Sequence, residues 1–259
     1  MTNLKAYRAT DQEKARTDDL LRLLPSGRHS VLDIGARDGH FSRLLTGYFS
    51  EVTALDLEQP QFDIPGVRGV AGDARSLDFE DGEFDCVFCA EVLEHIPDVE
   101  VACREIVRVA RHEIIIGVPY LQDIRIGRTT CAACGHINPP WGHINSFSRE
   151  SLVALFPGTR VESVSFVGVD NEATNPLSTL LMDWAGNPWG TYTQDEPCLG
   201  CGRKLLAPTA RTLWQRGCSA VATRITAIQS RRTEAHGNWI HAVFSKVRKS
   251  TLTSEDPVL

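Results

Sequence analysis

The feature that most constrains the fold is the stretch from Val31 to Leu45, where a short apolar run meets a turn bracketed by glycines. The run 31–34 is typical of a buried β-strand, and apolar residues return at helical spacing from Phe41 onward. Gly35 lets the backbone approach a ligand closely, and the first amide groups of the following helix point toward the strand end. The stretch therefore predicts a strand, loop and helix unit that can hold a polar ligand.

Acidic residues end the next apolar runs along the chain. Asp56 closes the run 52–56, Asp73 follows the run 67–71, and Glu91 follows the run 84–90. Asp56 stands about where nucleotide-binding α/β folds place the carboxylate that accepts ribose hydroxyls. An acidic group at Asp73 can accept the exocyclic amine of adenine. Alternating strands and helices predict a parallel sheet whose carboxyl edge binds the ligand.

This spacing resembles that of the class I S-adenosylmethionine-dependent methyltransferases, over about residues 27–167 and again at 237–248. The resemblance implies a doubly wound, seven-stranded, mostly parallel sheet of Rossmann-like type, with S-adenosyl-L-methionine as the cofactor. Asp33 and Gly35 would lie along the methionine part of that cofactor, and Glu91 would lie near the methionine end. The cofactor-binding residues that the resemblance implies are Asp33, Gly35, Ala36, Asp56, Leu57, Asp73, Ala74 and Glu91.

One residue departs from the family pattern. Arg37 stands where the family usually has a second glycine, so the Gly-x-Gly-x-x-Gly fingerprint of dinucleotide-binding proteins is not met. Arg37 would obstruct a pyrophosphate, and Asp38 adds negative charge at the same place. A sulfonium cofactor without phosphate fits this loop better. The alternative interpretation is a doubly wound domain that uses its glycines only for turns.

Two Cys-x-x-Cys-Gly turns occur outside the predicted sheet, and their cysteines are Cys131, Cys134, Cys198 and Cys201. Such turns let two thiolates face one metal ion, so the pair of turns predicts a structural zinc site with four thiolates. Zinc would then connect two insertions on the substrate side of the sheet. Free thiols or a redox pair are the alternatives, and His136 could replace one thiolate or only flank the site.

His143 lies in a proline-rich segment just before a predicted helix start. It is the leading candidate for a general base that takes a proton from a substrate hydroxyl, because the free pKa of histidine is near neutrality. The alternative is a histidine that only stabilises its loop through hydrogen bonds.

The net charge of −6 is unevenly placed, since residues 203–249 are basic and the rest of the chain is acidic. The acidic bulk makes nucleic acid an unfavoured partner, whereas the basic segment could attract an anionic acceptor or could be a solvated helix face. No run of about 18 apolar residues and no signal-peptide pattern occurs. We therefore expect a cytoplasmic protein without a membrane span, with cysteines that are thiols or metal ligands.

The predicted function is O-methylation of a small-molecule or glycan-like acceptor by an S-adenosylmethionine-dependent methyltransferase. One alternative is methylation of RNA or protein with the zinc module as the recognition element, and another is a non-catalytic cofactor-binding or zinc interaction module. The apolar pattern from Leu206 to Ile228 predicts a long helix against the lid or a partner subunit, so a homodimer is one expected arrangement. The predicted divisions are an N-terminal helix or cap at 1–30, a core at 31–167 and 236–249, a zinc-bound lid at 119–148 and 168–235, and a disordered tail at 250–259.

Overall fold

The computed structural model describes residues 4–247, so the tail predicted at 250–259 lies outside the described residues. Its strands are β1 (Ser30–Ile34), β2 (Glu51–Asp56), β3 (Val67–Ala71), β4 (Phe84–Ala90), β5 (Ala110–Pro119), β6 (Thr129–Thr130), β7 (Ile137–Asn138), β8 (Thr159–Val167) and β9 (Trp239–Lys246). Its α-helices are α1 (Leu4–Arg8), α2 (Asp11–Arg22), α3 (His40–Leu45), α4 (Val99–Val109), α5 (Arg149–Ala154), α6 (Pro176–Trp184) and α7 (Leu213–Arg232). Single 3₁₀ turns are formed by Leu93–His95 and Pro140–Gly142.

Seven strands form one sheet in the spatial order β3-β2-β1-β4-β5-β9-β8, while β6 and β7 pair separately. The strands β1 to β5 run parallel, and β9 lies antiparallel to both β5 and β8. The strand order reverses between β1 and β4, which is the place where ligands bind in open α/β sheets. The predicted doubly wound, seven-stranded, mostly parallel sheet is confirmed.

The central strands are buried on both faces, as parallel strands covered by helices must be. On one face, Ile114 and Ile116 of β5 belong to the same apolar cluster as Ile106 of α4. On the other face, Ile115 packs in a second cluster with Leu20 of α2. The sheet is therefore a rigid platform whose carboxyl edge carries the loops described below.

The long helix predicted from Leu206 is shorter than expected at its start. Helix α7 begins after Thr212, whose hydroxyl accepts a hydrogen bond from the backbone N–H of Gln215 in a capping box, and residues 203–212 are not helical. This cap satisfies the free amide groups of the first turn, so the helix starts where a capping residue is available.

The apolar stripe predicted on this helix is not its buried face. Val221 and Ile228 are exposed, whereas Ala222 is buried against α6, where the Ser178 hydroxyl donates to the Ala222 carbonyl at 2.8 Å. Small residues are buried there because two helices pack closely, and the larger apolar side chains remain outside. Within residues 4–247, every helix is too short or too polar to span a membrane.

Candidate functional site

The loop after β1 is shaped by Gly35. Its N–H and that of Ala36 both donate to the Leu55 carbonyl, at 2.8 Å and 3.1 Å. Gly35 has φ of 79°, and a Cβ atom placed there would lie 2.2 Å from Cγ2 of Val92. Only glycine satisfies both the backbone angle and the close approach. The loop therefore joins the ends of β1, β2 and β4 at the switch point of the sheet.

Asp33, predicted along the methionine part of the cofactor, is only 2% exposed. Its carboxylate accepts a hydrogen bond from the Ser42 hydroxyl at 2.5 Å, which ties β1 to α3. Burial raises the pKa of Asp33 to about 7, and the Ser42 hydrogen bond opposes that rise. In this structure Asp33 therefore holds the strand before the loop and the helix after it together, on the buried side of the loop.

Asp56, predicted at the ribose, lies at the end of β2 beside the glycine loop. Its two carboxylate oxygens accept hydrogen bonds from the backbone N–H groups of Arg37 and Leu57, each at 2.7 Å. A carboxylate has about four acceptor positions, so about two remain for a ligand. Arg37 has φ of 48°, the left-handed region that glycine favours, which agrees with the glycine usual in the family at this position.

Asp73, predicted at the adenine, is already paired with a neighbouring arginine. Arg75 donates to both carboxylate oxygens of Asp73, with the shortest contact at 2.7 Å, and its backbone N–H donates to one of them. This hydrogen bonding lowers the pKa of Asp73. Ala74, next in the chain, is buried.

Glu91, predicted near the methionine end, forms an ion pair with Arg16 at 2.9 Å. Arg16 is buried on α2, where it also pairs with Glu13 at 2.6 Å and lies over the Trp239 ring at 4.7 Å. Its Nη1 atom is buried with no hydrogen-bond partner among the described residues. Sequence reasoning missed Arg16, although its helical spacing with Glu13 and Leu20 is a signal for one buried helix face.

His143, the predicted base, lies beside the 3₁₀ turn that follows β4. Its Nδ1 atom is 2.6 Å from Oε1 of Gln122, and its ring packs edge-on against His95 with centroids 4.8 Å apart. Burial, with a smaller contribution from His95, lowers the pKa of His143 to about 3. Burial raises the pKa of Glu94, in the same turn, to about 8. His143 is thus a neutral ring at physiological pH, and a weaker base than its free pKa implies.

The four knuckle cysteines come together. Their sulfur atoms all lie within 4.8 Å of one another, with Cys131 to Cys201 at 3.7 Å and Cys134 to Cys198 at 3.6 Å. A tetrahedral zinc ion about 2.3 Å from each sulfur separates the sulfur atoms by about 3.8 Å. The donor set therefore fits zinc. His136 is exposed and is not part of this group.

The segment before the second knuckle lies over the carboxyl edge of the sheet. Gln194 accepts a hydrogen bond from the backbone N–H of Trp141 at 2.7 Å, and Asp195 lies 3.4 Å from the guanidinium of Arg37. The backbone N–H of Arg37 donates to Asp56, so this contact reaches the loop after β1. The two insertions and the glycine loop are therefore in contact.

Part of this sequence matches known proteins. A family model described as a methyltransferase domain matches residues 32–116. The uncharacterized methyltransferase YcgJ of Bacillus subtilis is 33% identical over 95 residues, which are 33% of this chain and 38% of that protein. A ubiquinone biosynthesis O-methyltransferase of Thiobacillus denitrificans is 30% identical over 98 residues, 32% of this chain and 42% of the relative. The chain thus matches about two fifths of the length of these relatives.

The solved structures extend the likeness to nearly the whole chain. The superposition on the solved structure of YcgJ from Bacillus subtilis covers 90% of this chain and 98% of the YcgJ chain, with 16% sequence identity and a TM-score of 0.54. The superposition on the N-methyltransferase NodS from Bradyrhizobium japonicum covers 92% of this chain and 98% of the NodS chain, with 14% sequence identity and a TM-score of 0.52. These likenesses concern the fold, and the sequence match concerns the domain. Residues 32–116 of the chain thus match a methyltransferase domain, and its fold is that of the solved methyltransferases.

Proposed function

We propose that this chain is an S-adenosylmethionine-dependent methyltransferase that methylates a hydroxyl of a small-molecule acceptor. The observation that carries the proposal is the carboxyl edge of the sheet, where Asp56 keeps free acceptor positions beside the glycine loop. The loop does not carry the Gly-x-Gly-x-x-Gly phosphate fingerprint, and Glu91 at the same edge suits a positively charged ligand, whereas Asp38 is paired with Arg8 at 2.6 Å. The O-methyltransferase named among the relatives supports a hydroxyl as the acceptor.

Several side chains of this edge would hold the cofactor. Asp56 would accept the ribose hydroxyls, and Asp73 with the Ala74 backbone would contact adenine. The orphan Nη1 of Arg16 is a donor suited to the methionine carboxylate, and Glu91 is an acceptor suited to its ammonium group. The bound cofactor supplies an activated methyl group. Catalysis then rests on holding the acceptor oxygen in line with that methyl group, so orientation carries most of the acceleration.

His143 is proposed as the group that acts on the acceptor hydroxyl. It is only 8% exposed, and Gln122 accepts its Nδ1 proton, so the lone pair of Nε2 is the one available. A base role predicts that the rate falls as His143 becomes protonated, near the pKa of about 3 that burial gives the ring. The pH profile of His143→Ala against the wild type tests this role.

The four cysteines are proposed to hold a structural zinc ion that fixes the two insertions as a lid. The sulfur distances support this, and four thiolates would leave no open position for a substrate. The division into core and lid, at 119–148 and 168–235, is part of the same proposal. A homodimer through the exposed apolar side chains of α7 stays a prediction, which sedimentation equilibrium would test.

The experiment is methyl transfer from labelled S-adenosylmethionine to a panel of phenols, sugars, amines, bulk RNA and peptides. We expect transfer to a hydroxyl compound, loss of transfer in Asp56→Ala, and wild-type rates in Glu100→Gln, which changes an exposed side chain of α4. Transfer to amines would identify a nitrogen acceptor, as the name of NodS would suggest. Transfer only to RNA or peptide would replace the small-molecule proposal, and cofactor binding without any transfer would favour a non-catalytic module.

A further inference from the structure

A cluster of three side chains lies at the carboxyl edge, next to the proposed cofactor site. Glu94, His95 and His143 each offer one ligand atom, and these atoms lie within 4.8 Å of one another. We infer that this Glu–His–His cluster binds a divalent cation of the first transition row, which contacts the acceptor hydroxyl. The inference deepens the proposed function and rests on it for the identity of the reaction.

The first argument is the state of the Glu94 carboxylate. Glu94 is 0% exposed, and neither of its side-chain oxygens has a hydrogen-bond partner among the described residues. A buried carboxyl group whose two oxygens have no partner is unfavourable whether or not it is ionised, because it has lost its water and gained nothing in exchange. The two imidazoles beside it offer lone pairs rather than positive charge. A cation between the three groups would satisfy all of them.

The second argument is that the backbone fixes the cluster. The Glu94 carbonyl accepts the N–H groups of Ile144 and Asn145, at 2.8 Å and 3.1 Å. The Asn145 side-chain amide donates to the carbonyls of Leu93 and Ile96, each at 2.8 Å. The loop that carries His143 is therefore fastened to the turn that carries Glu94 and His95. A site held in this way before binding has little ordering cost.

The third argument is the orientation of His143. The Gln122 side-chain oxygen accepts the Nδ1 proton of His143 at 2.6 Å, so Nε2 carries the lone pair. The Ser146 hydroxyl donates to the Gln122 carbonyl at 2.8 Å and holds that residue in place. Histidines that bind metals almost always donate their other ring N–H to such a partner, which fixes the tautomer. Gln122 is thus a positioning residue for the cluster.

The ligand types select the class of ion. Two imidazoles and one carboxylate suit Mn²⁺, Fe²⁺, Co²⁺ or Zn²⁺, and three protein ligands leave coordination positions open. The Cys131, Cys134, Cys198 and Cys201 group, in contrast, is soft and closed. The chain therefore offers two different metal environments, one suited to structure and one suited to contact with a substrate oxygen.

The ion would lower the pKa of an acceptor hydroxyl, as metal ions do for water. The hydroxyl proton passes to solvent, and the oxygen lone pair forms a bond to the sulfonium methyl carbon. The carbon–sulfur bond breaks, its electron pair stays on sulfur, and the products are a methyl ether, the neutral thioether and one proton. With the ion bound, Nε2 of His143 is a ligand and takes no proton, so this role replaces the base role proposed above for the site without an ion.

The test is titration with Mn²⁺ of protein that contains one zinc ion per chain by elemental analysis, so that the Glu–His–His cluster is empty at the start, followed by electron paramagnetic resonance of the free ion. We expect one site per chain whose dissociation constant rises at least about 100-fold in Glu94→Gln and His143→Ala, and about 10- to 100-fold in Gln122→Ala. Glu100→Gln should bind Mn²⁺ as the wild type does. The variant Glu94→Gln keeps the shape of the side chain, so a folding failure is not expected to mimic the result.

Titration of the same samples with S-adenosylmethionine separates this inference from the proposed function. If the variants lose Mn²⁺ binding but still bind the cofactor, the cluster is supported as the metal site. Wild-type protein that binds the cofactor but no Mn²⁺ at millimolar concentration overturns the inference and leaves the methyltransferase proposal intact. Variants that retain wild-type affinity for Mn²⁺ overturn it as well, because the ion would then bind elsewhere.

Discussion

Removal of the proposed zinc should loosen the lid and leave the cofactor side in place. The perturbation is chelation of the metal, or the double variant Cys131→Ser with Cys198→Ser. The closure spans 64 residues from Cys134 to Cys198. Loop-closure entropy for about 64 residues is worth about 4 kcal/mol at 25 °C in the chain-entropy model.

Other contacts also join the two insertions, among them the half-buried ion pair of Arg128 with Asp183 at 3.1 Å and the hydrogen bond that the Leu199 N–H donates to Asn138 at 2.8 Å, so the metal supplies one part of the lid's stability. The pair of Asp195 with Arg37 is exposed, and such pairs contribute about 0–1 kcal/mol. The two-residue pairing of β6 with β7 adds little. The strands β1, β4 and β5 are instead fully packed in the core. We therefore expect more frequent local opening of the lid, with hydrogen exchange faster by at most about a thousandfold, the factor that corresponds to loss of the full 4 kcal/mol.

Hydrogen exchange with mass spectrometry, joined to limited proteolysis, measures this opening. Exchange and cleavage should increase within about 122–146 and 170–205, while β1, β4 and β5 stay protected and the affinity for S-adenosylmethionine stays nearly unchanged. Cys218→Ala, which changes a cysteine outside the knuckles, is the matched control. If chelation abolishes cofactor binding and unfolds the chain in one transition, the metal belongs to the core and the lid interpretation is wrong.

Three further predictions concern the core of the site. Asp33, with a folded pKa of about 7 against 3.8 unfolded, should make stability fall by about 4 kcal/mol as pH rises through that window; Asp33→Asn should flatten this dependence in urea unfolding. Arg16→Ala should cost about 3–5 kcal/mol of unfolding free energy, because the buried Glu13 loses its charged partner and keeps only the Tyr7 hydroxyl, and Arg16→Lys should cost less. Gly35→Ala should lower the melting temperature, and Val92→Ala in the same chain should restore part of it.

The sheet and the loop after β1 were predictable because their signals are local. A buried parallel strand is a continuous apolar run, and Gly35 marks the turn that follows it. Acidic residues at successive strand ends meet at one edge by topology alone, which explains why Asp56 and Glu91 could be placed without a structure. The two Cys-x-x-Cys-Gly turns were equally local, and the structure brings their sulfur atoms together.

Other features depend on tertiary contacts that no local pattern reports. Helix α6 was missed because its apolar stripe ends at the exposed Trp184, and the face of α7 that it covers consists of small residues. Arg16 reads as an ordinary charged residue until Glu91 and Trp239 are brought beside it. Glu94 could not be recognised as a candidate ligand from the sequence, because His143 comes close to it only through the folding of a distant loop.

The measurement that tests the central claim most directly is calorimetric titration of the purified chain with S-adenosylmethionine. We predict saturable binding of one cofactor per chain, weakened by roughly 1.5–3 kcal/mol in Asp56→Ala, which is a loss of about 10- to 150-fold in affinity. Asp78→Ala, at an exposed carboxylate outside the predicted cofactor residues, should bind as the wild type does. No binding at millimolar cofactor, or wild-type affinity in both Asp56→Ala and Asp73→Ala, would contradict the account.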